Sequence, residues 1–224
     1  MRVSDRADRL TLWLIDRLER FVISCADRVV VVTPALAELL RREYGVPPEK
    51  ITVVENGANT ELFKAIDPFA ARKVLGLSPD RSYICAVGSL DKWQGVQYAI
   101  MGMPAIVARC PEAELLVVGD GPMRRDMEEL AVETGVRDRV TFSGMVPYDR
   151  VPLYMNASDI CVSPKNGLKS GYSSLKMREY LACKKPVVAS RASGHEVIEN
   201  SGGGILVEPR GHRCAGGRDI PPSY

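Results

Sequence analysis

Apolar and polar positions along this chain fall into two recurring patterns. Short uninterrupted apolar runs, such as "YICAV", "LLVV", "ICV" and "PVVA", alternate with longer segments whose apolar residues recur every three or four positions. An apolar run bounded by turn residues marks a strand buried on both faces, whereas the longer spacing marks a helix with one buried side.

In chain order the pattern predicts a helix in "RADRLTLWLIDRLERFVI", a strand at "RVVVV", a helix at "PALAELLRREYG" and a short strand at "ITVVENG". A helical stretch near "DPFAARKVLG" leads into a regular alternation from about residue 80. There "YICAVGS", "AELLVVGDG", "RVTFSG", "DICVSP", "PVVAS" and "GGILV" read as strands. Between them "GVQYAIMGMPAIVARC", "PMRRDMEELAVETG", "VPLYMNA" and "SSLKMREYLAC" read as helices. Strands alternating with helices specify the α/β class, here a doubly wound, parallel, Rossmann-like sheet covered on both faces. Residues 61–207 make up that domain, 1–60 hold a preceding piece and a linker, and 208–224, with neither period, form an irregular tail.

Ligands of doubly wound sheets bind beyond the carboxyl ends of the strands. Those ends here are Gly88-Ser89, Gly119-Asp120-Gly121-Pro122, Ser143-Gly144-Met145, Ser163-Pro164 and Ser190, which are therefore expected to line one edge and one cleft.

Composition narrows the function classes. The chain has 224 residues, 46% hydrophobic and 26% charged, with 30 basic against 28 acidic side chains and a formal charge of +2. That balance does not point to nucleic acid. The six cysteines show no C-x-x-C spacing, and Cys85 and Cys161 fall inside strand runs, so a reducing cytoplasm and no zinc site are expected. Apolar runs stop short of a membrane span, and Arg2, Asp5, Arg6, Asp8 and Arg9 argue against a signal peptide. The first helix carries leucines, Trp13 and arginines that suit a membrane surface at the inner face, but its acidic residues favour packing against protein.

Two nucleotide fingerprints fail. Gly119 and Gly121 follow a strand, but the third glycine of G-x-G-x-x-G would fall at Arg124, and no G-x-x-x-x-G-K-[ST] occurs. Pro122 reads as the first residue of the helix that follows. The stretch "SGYSSLKMREYLACKKPVVAS" is more informative. Ser173 or Ser174 suits a helix N-cap, Lys176 lies in the first turn, and Glu179 lies one turn on. Free amides, the helix dipole and a lysine would together hold an anion, and Glu179 would accept sugar hydroxyls. A capped surface helix with an exposed Lys176–Glu179 pair explains the same residues equally well.

The segment "SLKMREYLACKKPVVAS" followed by "SGHEVIENSGGGILVEP" resembles the signature region of the retaining, nucleotide-sugar-dependent glycosyltransferases of family 4, which have the two-domain GT-B fold. "ITVVENGANTELF", "LLVVGDGP" and "VTFSGMVP" resemble three further family segments in the right order. The resemblance implies a C-terminal donor-binding domain and transfer of a sugar from a nucleoside diphosphate to a sugar, lipid or protein acceptor, without cofactor or metal. It implies that Glu179 holds the donor ribose, that Met145 and Val146 border the base, and that Gly119 and Gly121 lie beside the pocket. Ser174, Leu175 and Lys176 would meet the diphosphate, with Lys176 as the catalytic cation. Asn56-Gly57 would lie near the hinge.

This chain departs from the family pattern at several positions. Where the family has G-R-L-x-x-x-K-G, the loop reads "GSLDKWQG", with Ser89 and Gln94 in place of the cations, so charge stabilisation is expected to move to Lys176 with help from Lys92. Gly171 stands where a sugar-contacting glutamate is usual, and Lys184 where glycine ends the helix. His195 and His212 match no family role. Residues 1–60 resemble only the last part of an acceptor domain, so the chain is expected to be the donor half of an enzyme. Alternatives are a non-catalytic nucleotide-sugar-binding subunit with a separate N-terminal-domain partner, or an epimerase relative of the same fold.

Overall fold

The computed structural model describes residues 5–165, 173–192 and 194–208. Gly171, His212 and the tail from residue 209 lie outside the described residues. The chain divides into two compact units, with the boundary between Asn56 and Gly57.

The first unit consists of α1 (Asp5–Cys25), β1 (Val29–Val31), α2 (Pro34–Tyr44) and β2 (Ile51–Val53). β1 and β2 pair in parallel, Val30 opposite Thr52. Helix α2 starts where Thr33 accepts a hydrogen bond from the Leu36 amide at 3.1 Å and Pro34 fixes the first turn. Its small core is Val31, Leu40 and Val46, with Ile23 of α1 packed against it. Arg20 and Glu19 of α1 bond the Glu43 carbonyl and the Tyr44 hydroxyl. Leu12, Trp13, Leu18 and Phe21 of α1, and Val30, Val53 and Val54, stay exposed.

The second unit carries α3 (Pro68–Leu75), β3 (Ser82–Val87), α4 (Val96–Val107), β4 (Ala113–Val118), α5 (Arg124–Glu133) and β5 (Val140–Gly144). It continues with α6 (Val151–Ala157), β6 (Ile160–Ser163), α7 (Leu175–Ala182), β7 (Val187–Ser190), α8 (Glu196–Asn200) and β8 (Gly204–Val207). The strands form one sheet in the order β5-β4-β3-β6-β7-β8 with every pair parallel. All carboxyl ends therefore share one edge. The strand order reverses between β3 and β6, and that reversal opens a crevice beyond their ends.

Both faces of the sheet are covered, which is why its strands read as continuous apolar runs. Cys85, Cys161, Val187 and Ala189 face a core that includes Met155, Met177, Tyr180 and Ile198 from α6, α7 and α8. Ala86, Leu115 and Val117 face Ile100 and Met103 of α4 and Met127 and Ala131 of α5. Each fully buried valine, leucine, isoleucine or methionine among these stabilises the fold by roughly 1.5–3 kcal/mol.

Polar groups buried at the amino edge are paired. Arg72 donates to Ala157 O at 2.8 Å, to Pro79 O at 3.1 Å and to both oxygens of Asp159 at 2.9 Å. Asp159 also accepts from the Tyr83 amide. Lys185 donates to Asn156 O and Ser158 O, each at 2.8 Å, while the Asn156 side chain bonds Lys64 O, Pro152 O and the Ile66 amide.

Local expectations at helix ends are corrected at two places. Helix α5 begins at Arg124, so Pro122 lies in the preceding turn, where the Met123 amide is bonded to Leu90 O. Ser174 is the residue at the N-cap of α7, but its hydroxyl makes no capping bond. Lys184 after α7 adopts φ 54°, the only non-glycine residue with positive φ among the described residues. The Cβ crowding of that left-handed conformation is the strain that glycine would relieve.

Candidate functional site

The crevice is built on the loop after β3, residues 88–95. The Gly88 amide donates to Val118 O at 2.9 Å and the Leu90 amide to Asp120 O at 3.0 Å, which ties this loop to the one after β4. The approach is so close that a Cβ at Gly119 would stand 2.0 Å from Gly88 O, and one at Gly121 would stand 2.7 Å from Leu90 N. Gly119 and Gly121 are thus needed for backbone packing at the rim. On the other side Gly95, at φ 75°, lies against the end of β6, where a Cβ would come within 1.7 Å of Pro164 O. The loop is clamped from both flanks.

Helix α7 grips the end of β3 with two side chains one turn apart. Lys176 donates to Val87 O at 2.7 Å, and the Tyr180 hydroxyl accepts from the Val87 amide at 3.0 Å. Lys176 also donates to Gln94 Oε1 at 3.0 Å, and Gln94 Nε2 donates to Ser89 Oγ at 3.3 Å. Burial pulls the Lys176 ammonium down to about 8, against the opposing pull of Glu179.

Glu179 is buried and accepts a 2.9 Å bond from the Tyr148 hydroxyl. Desolvation pushes its carboxyl up, while Tyr148 and Lys176 pull it down. The exposed Lys176–Glu179 pair allowed by spacing is not formed, because the lysine is turned onto the Val87 carbonyl and the glutamate onto Tyr148.

Two further basic groups reach the same crevice. Lys165, fully buried just past β6, holds its ammonium 4.7 Å from the centre of the Trp93 ring. Burial, and then the charge of Lys176, lower its pKa to about 7. His195 is fully buried, with Nδ1 2.8 Å from Ser190 O, so that nitrogen carries the proton and Nε2 is left as an acceptor. Burial depresses the His195 pKa, and the charges of Lys165 and Lys176 depress it further. His195 Nε2 and the hydroxyls of Ser163 and Ser174 are buried with no hydrogen-bond partner. Buried polar atoms are rarely left so, and their gathering at one strand edge marks a place for a polar ligand.

The structure brings Lys176, Ser89 and Gln94 into one hydrogen-bonded chain beside Ser174. Leu175 is half exposed, Ser89 and Lys92 are exposed on the loop, and Met145 lies open at the end of β5. Val146 is partly buried against the core that contains Phe63 and Tyr180. Sequence reasoning missed Lys165 and Tyr148. The place of Lys165 directly after a strand end was a usable signal; Tyr148, 31 positions before Glu179, offered none. Among the described residues no three His, Cys, Asp or Glu side chains gather to hold a metal ion, and no helix is long and apolar enough to cross a membrane.

Residues 81–214 match the family described as glycosyl transferases group 1, and residues 2–62 match glycosyltransferase family 4. The chain belongs to the glycosyl transferases group 1 family. Within this family it is 32% identical over 203 residues to the D-inositol 3-phosphate glycosyltransferase of Rhodococcus jostii, covering 87% of this chain and 44% of that one. Sucrose-phosphate synthase from Thermosynechococcus elongatus superposes with a TM-score of 0.74 at 28% identity, over 93% of this chain and 51% of that one. The Anabaena protein HepE in complex with UDP shares the fold, with a TM-score of 0.70 at 24% identity over 82% of this chain and 50% of that one. The chain thus spans about half the length of these group 1 relatives. The parallel six-stranded sheet is that of GT-B glycosyltransferases.

Proposed function

We propose that residues 61–207 bind the nucleotide-sugar donor of a glycosyltransferase that passes the sugar to an acceptor with retention of configuration. Residues 1–60 belong to the acceptor side. The observation that carries this reading is Lys176 at the switch point of the sheet, bonded to Val87 O and Gln94 beside buried, unpartnered hydroxyls. HepE, which has the same fold, was crystallised with UDP, and this supports a nucleoside diphosphate as the ligand.

The proposed roles follow from the chemistry. As the glycosidic bond of the donor breaks, the diphosphate gains negative charge, and a fixed cation with fixed N–H groups stabilises it in the transition state. Lys176 supplies the cation, and the first amides of α7 with Ser174 supply donors. Leu175 contributes its amide, while Ser89 and Lys92 border the phosphates from the loop. Glu179 exchanges its bond from Tyr148 for bonds from the ribose hydroxyls. The main chain at Met145 and Val146 borders the base, and Gly119 and Gly121 hold the rim in place.

Calorimetric titration of the chain with UDP, GDP and ADP tests this. One nucleotide is expected to saturate, with Lys176→Met weakening it about 10- to 100-fold, the worth of a charge-assisted hydrogen bond. Glu179→Gln is expected to weaken the matching nucleoside as well as the nucleotide. A folded chain that binds none of the three, or variants that bind like the wild type, would refute the reading.

A further inference from the structure

Lys165 has no part in the roles above, yet it is placed with care by the fold. It directly follows Pro164 at the carboxyl end of β6, while Lys176 reaches across to the carboxyl end of β3. These are the two strands that flank the switch point, so ammonium groups enter the crevice from both sides. The position is enforced by packing. The site of a Cβ on Gly95 lies 3.3 Å from Lys165 Cα, and the Trp93 ring lies against the Lys165 ammonium.

The charged groups around this point come from several elements, and two of them are buried lysines. Lys176 of α7 acts electrostatically on Lys165, and both lysines act on His195 in the segment before α8. Loop 88–95 adds Asp91 and Lys92. Glu179 is engaged by Tyr148, and Glu196, which acts on His195, accepts from the Gly194 amide at 2.7 Å. His195 Nε2, fully buried and without a partner, marks the same spot as open to a ligand. Cations gathered in a desolvated site repel one another and are relieved by an anion.

We propose that Lys165 is a second phosphate-binding cation of this site, and that its amine takes a proton from solvent as the donor diphosphate arrives. This rests on the donor-binding reading above. With its pKa held near 7, Lys165 is mostly neutral at mildly alkaline pH, and a diphosphate that stabilises the ammonium draws in the missing proton. His195 stays neutral and offers Nε2 as an acceptor beside the new charge.

The test is calorimetric titration of the full chain with UDP, inorganic pyrophosphate and uridine near pH 8, in buffers of differing ionisation enthalpy. Lys165→Met is expected to weaken UDP and pyrophosphate about 10-fold or more while leaving uridine unchanged. Lys165→Arg, always charged, is expected to keep the affinity while proton uptake drops by about one per UDP, to what Lys176 supplies. The proposal falls if Lys165→Met binds UDP like the wild type with the same uptake, or if uridine binding is lost together with UDP. A wild-type chain that binds UDP, with no effect of either Lys165 variant, overturns this inference alone; one that binds neither UDP, GDP, ADP nor pyrophosphate overturns the donor-binding reading with it.

Discussion

The two edges of the six-stranded sheet both bury cations, and they treat them differently. At the amino edge Arg72 and Lys185 are matched by protein: a carboxylate and two carbonyls for the arginine, two carbonyls for the lysine. At the carboxyl edge Lys165, Lys176 and His195 crowd together beside serine hydroxyls that bond nothing. Lys176 keeps a carbonyl and an amide oxygen of its own, so the carboxyl edge differs in gathering basic side chains beside a buried His195 Nε2 and serine hydroxyls that have no partner. The difference separates polar groups satisfied within the domain from polar atoms with unmet hydrogen-bonding capacity, which the donor-binding proposal assigns to a ligand.

Removing a cation at each edge should expose that difference most strongly. Arg72→Met is expected to destabilise the fold by about 3 kcal/mol, because it strands Asp159 and two carbonyls. Lys176→Met is expected to stay within about 1 kcal/mol of the wild type, since burial already penalises the ammonium and offsets much of what its two hydrogen bonds contribute. Urea unfolding midpoints read both. A Lys176→Met loss as large as that of Arg72→Met would make the carboxyl edge structural too.

Gly95→Ala probes the clamp on the crevice loop. A methyl group pressed onto Pro164 O at positive φ should cost about 2 kcal/mol and weaken nucleotide binding with it. Unchanged stability and binding would mean that the loop accommodates the methyl by shifting.

A third effect is pH-dependent. The folded chain holds Lys165 near 7 and Lys176 near 8, below the ordinary value of about 10.4 that both regain on unfolding. Between these folded values and about pH 10 the unfolded chain therefore binds more protons, and the two lysines should make stability rise from about pH 7 toward about pH 10 and be lost again as pH falls. Urea midpoints of the wild type and of a Lys165→Met, Lys176→Met double variant check it. The double variant should be flatter, with Lys185, also depressed by burial, accounting for the slope that remains. Equal slopes would contradict the account.

The smallest effect lies at the end of α7. Lys184→Gly is expected to raise stability by about 1 kcal/mol by relieving the left-handed conformation, without touching nucleotide binding. A thermal melt decides it, and a loss of stability would mean that the lysine stem packs usefully there.

Much of this fold was legible in the chain. The alternation from β3 to β8 survives because strands buried on both faces leave continuous apolar runs, and an all-parallel sheet then places every strand-end loop on one edge. Contacts that need two distant segments were not legible. Nothing near Glu179 announces Tyr148, and nothing near Lys176 announces Gln94, 82 residues earlier. Local rules also misled where tertiary packing prevailed. Ser174 sits at the N-cap, but its hydroxyl is buried without bonding the helix, and Pro122 belongs to a turn fixed by Leu90. In the first unit the pattern predicted α1 correctly, while the exposure of Trp13 and Phe21 is not encoded in their spacing.

The most direct test of the contrast between the edges is a crystal structure of the chain soaked with UDP. The account predicts the diphosphate in the crevice beyond β3 and β6, within hydrogen-bond distance of Lys176 Nζ and the Ser174 hydroxyl. A diphosphate bound at Arg72 and Lys185 instead, or a crevice left empty while the nucleotide binds elsewhere, would contradict it.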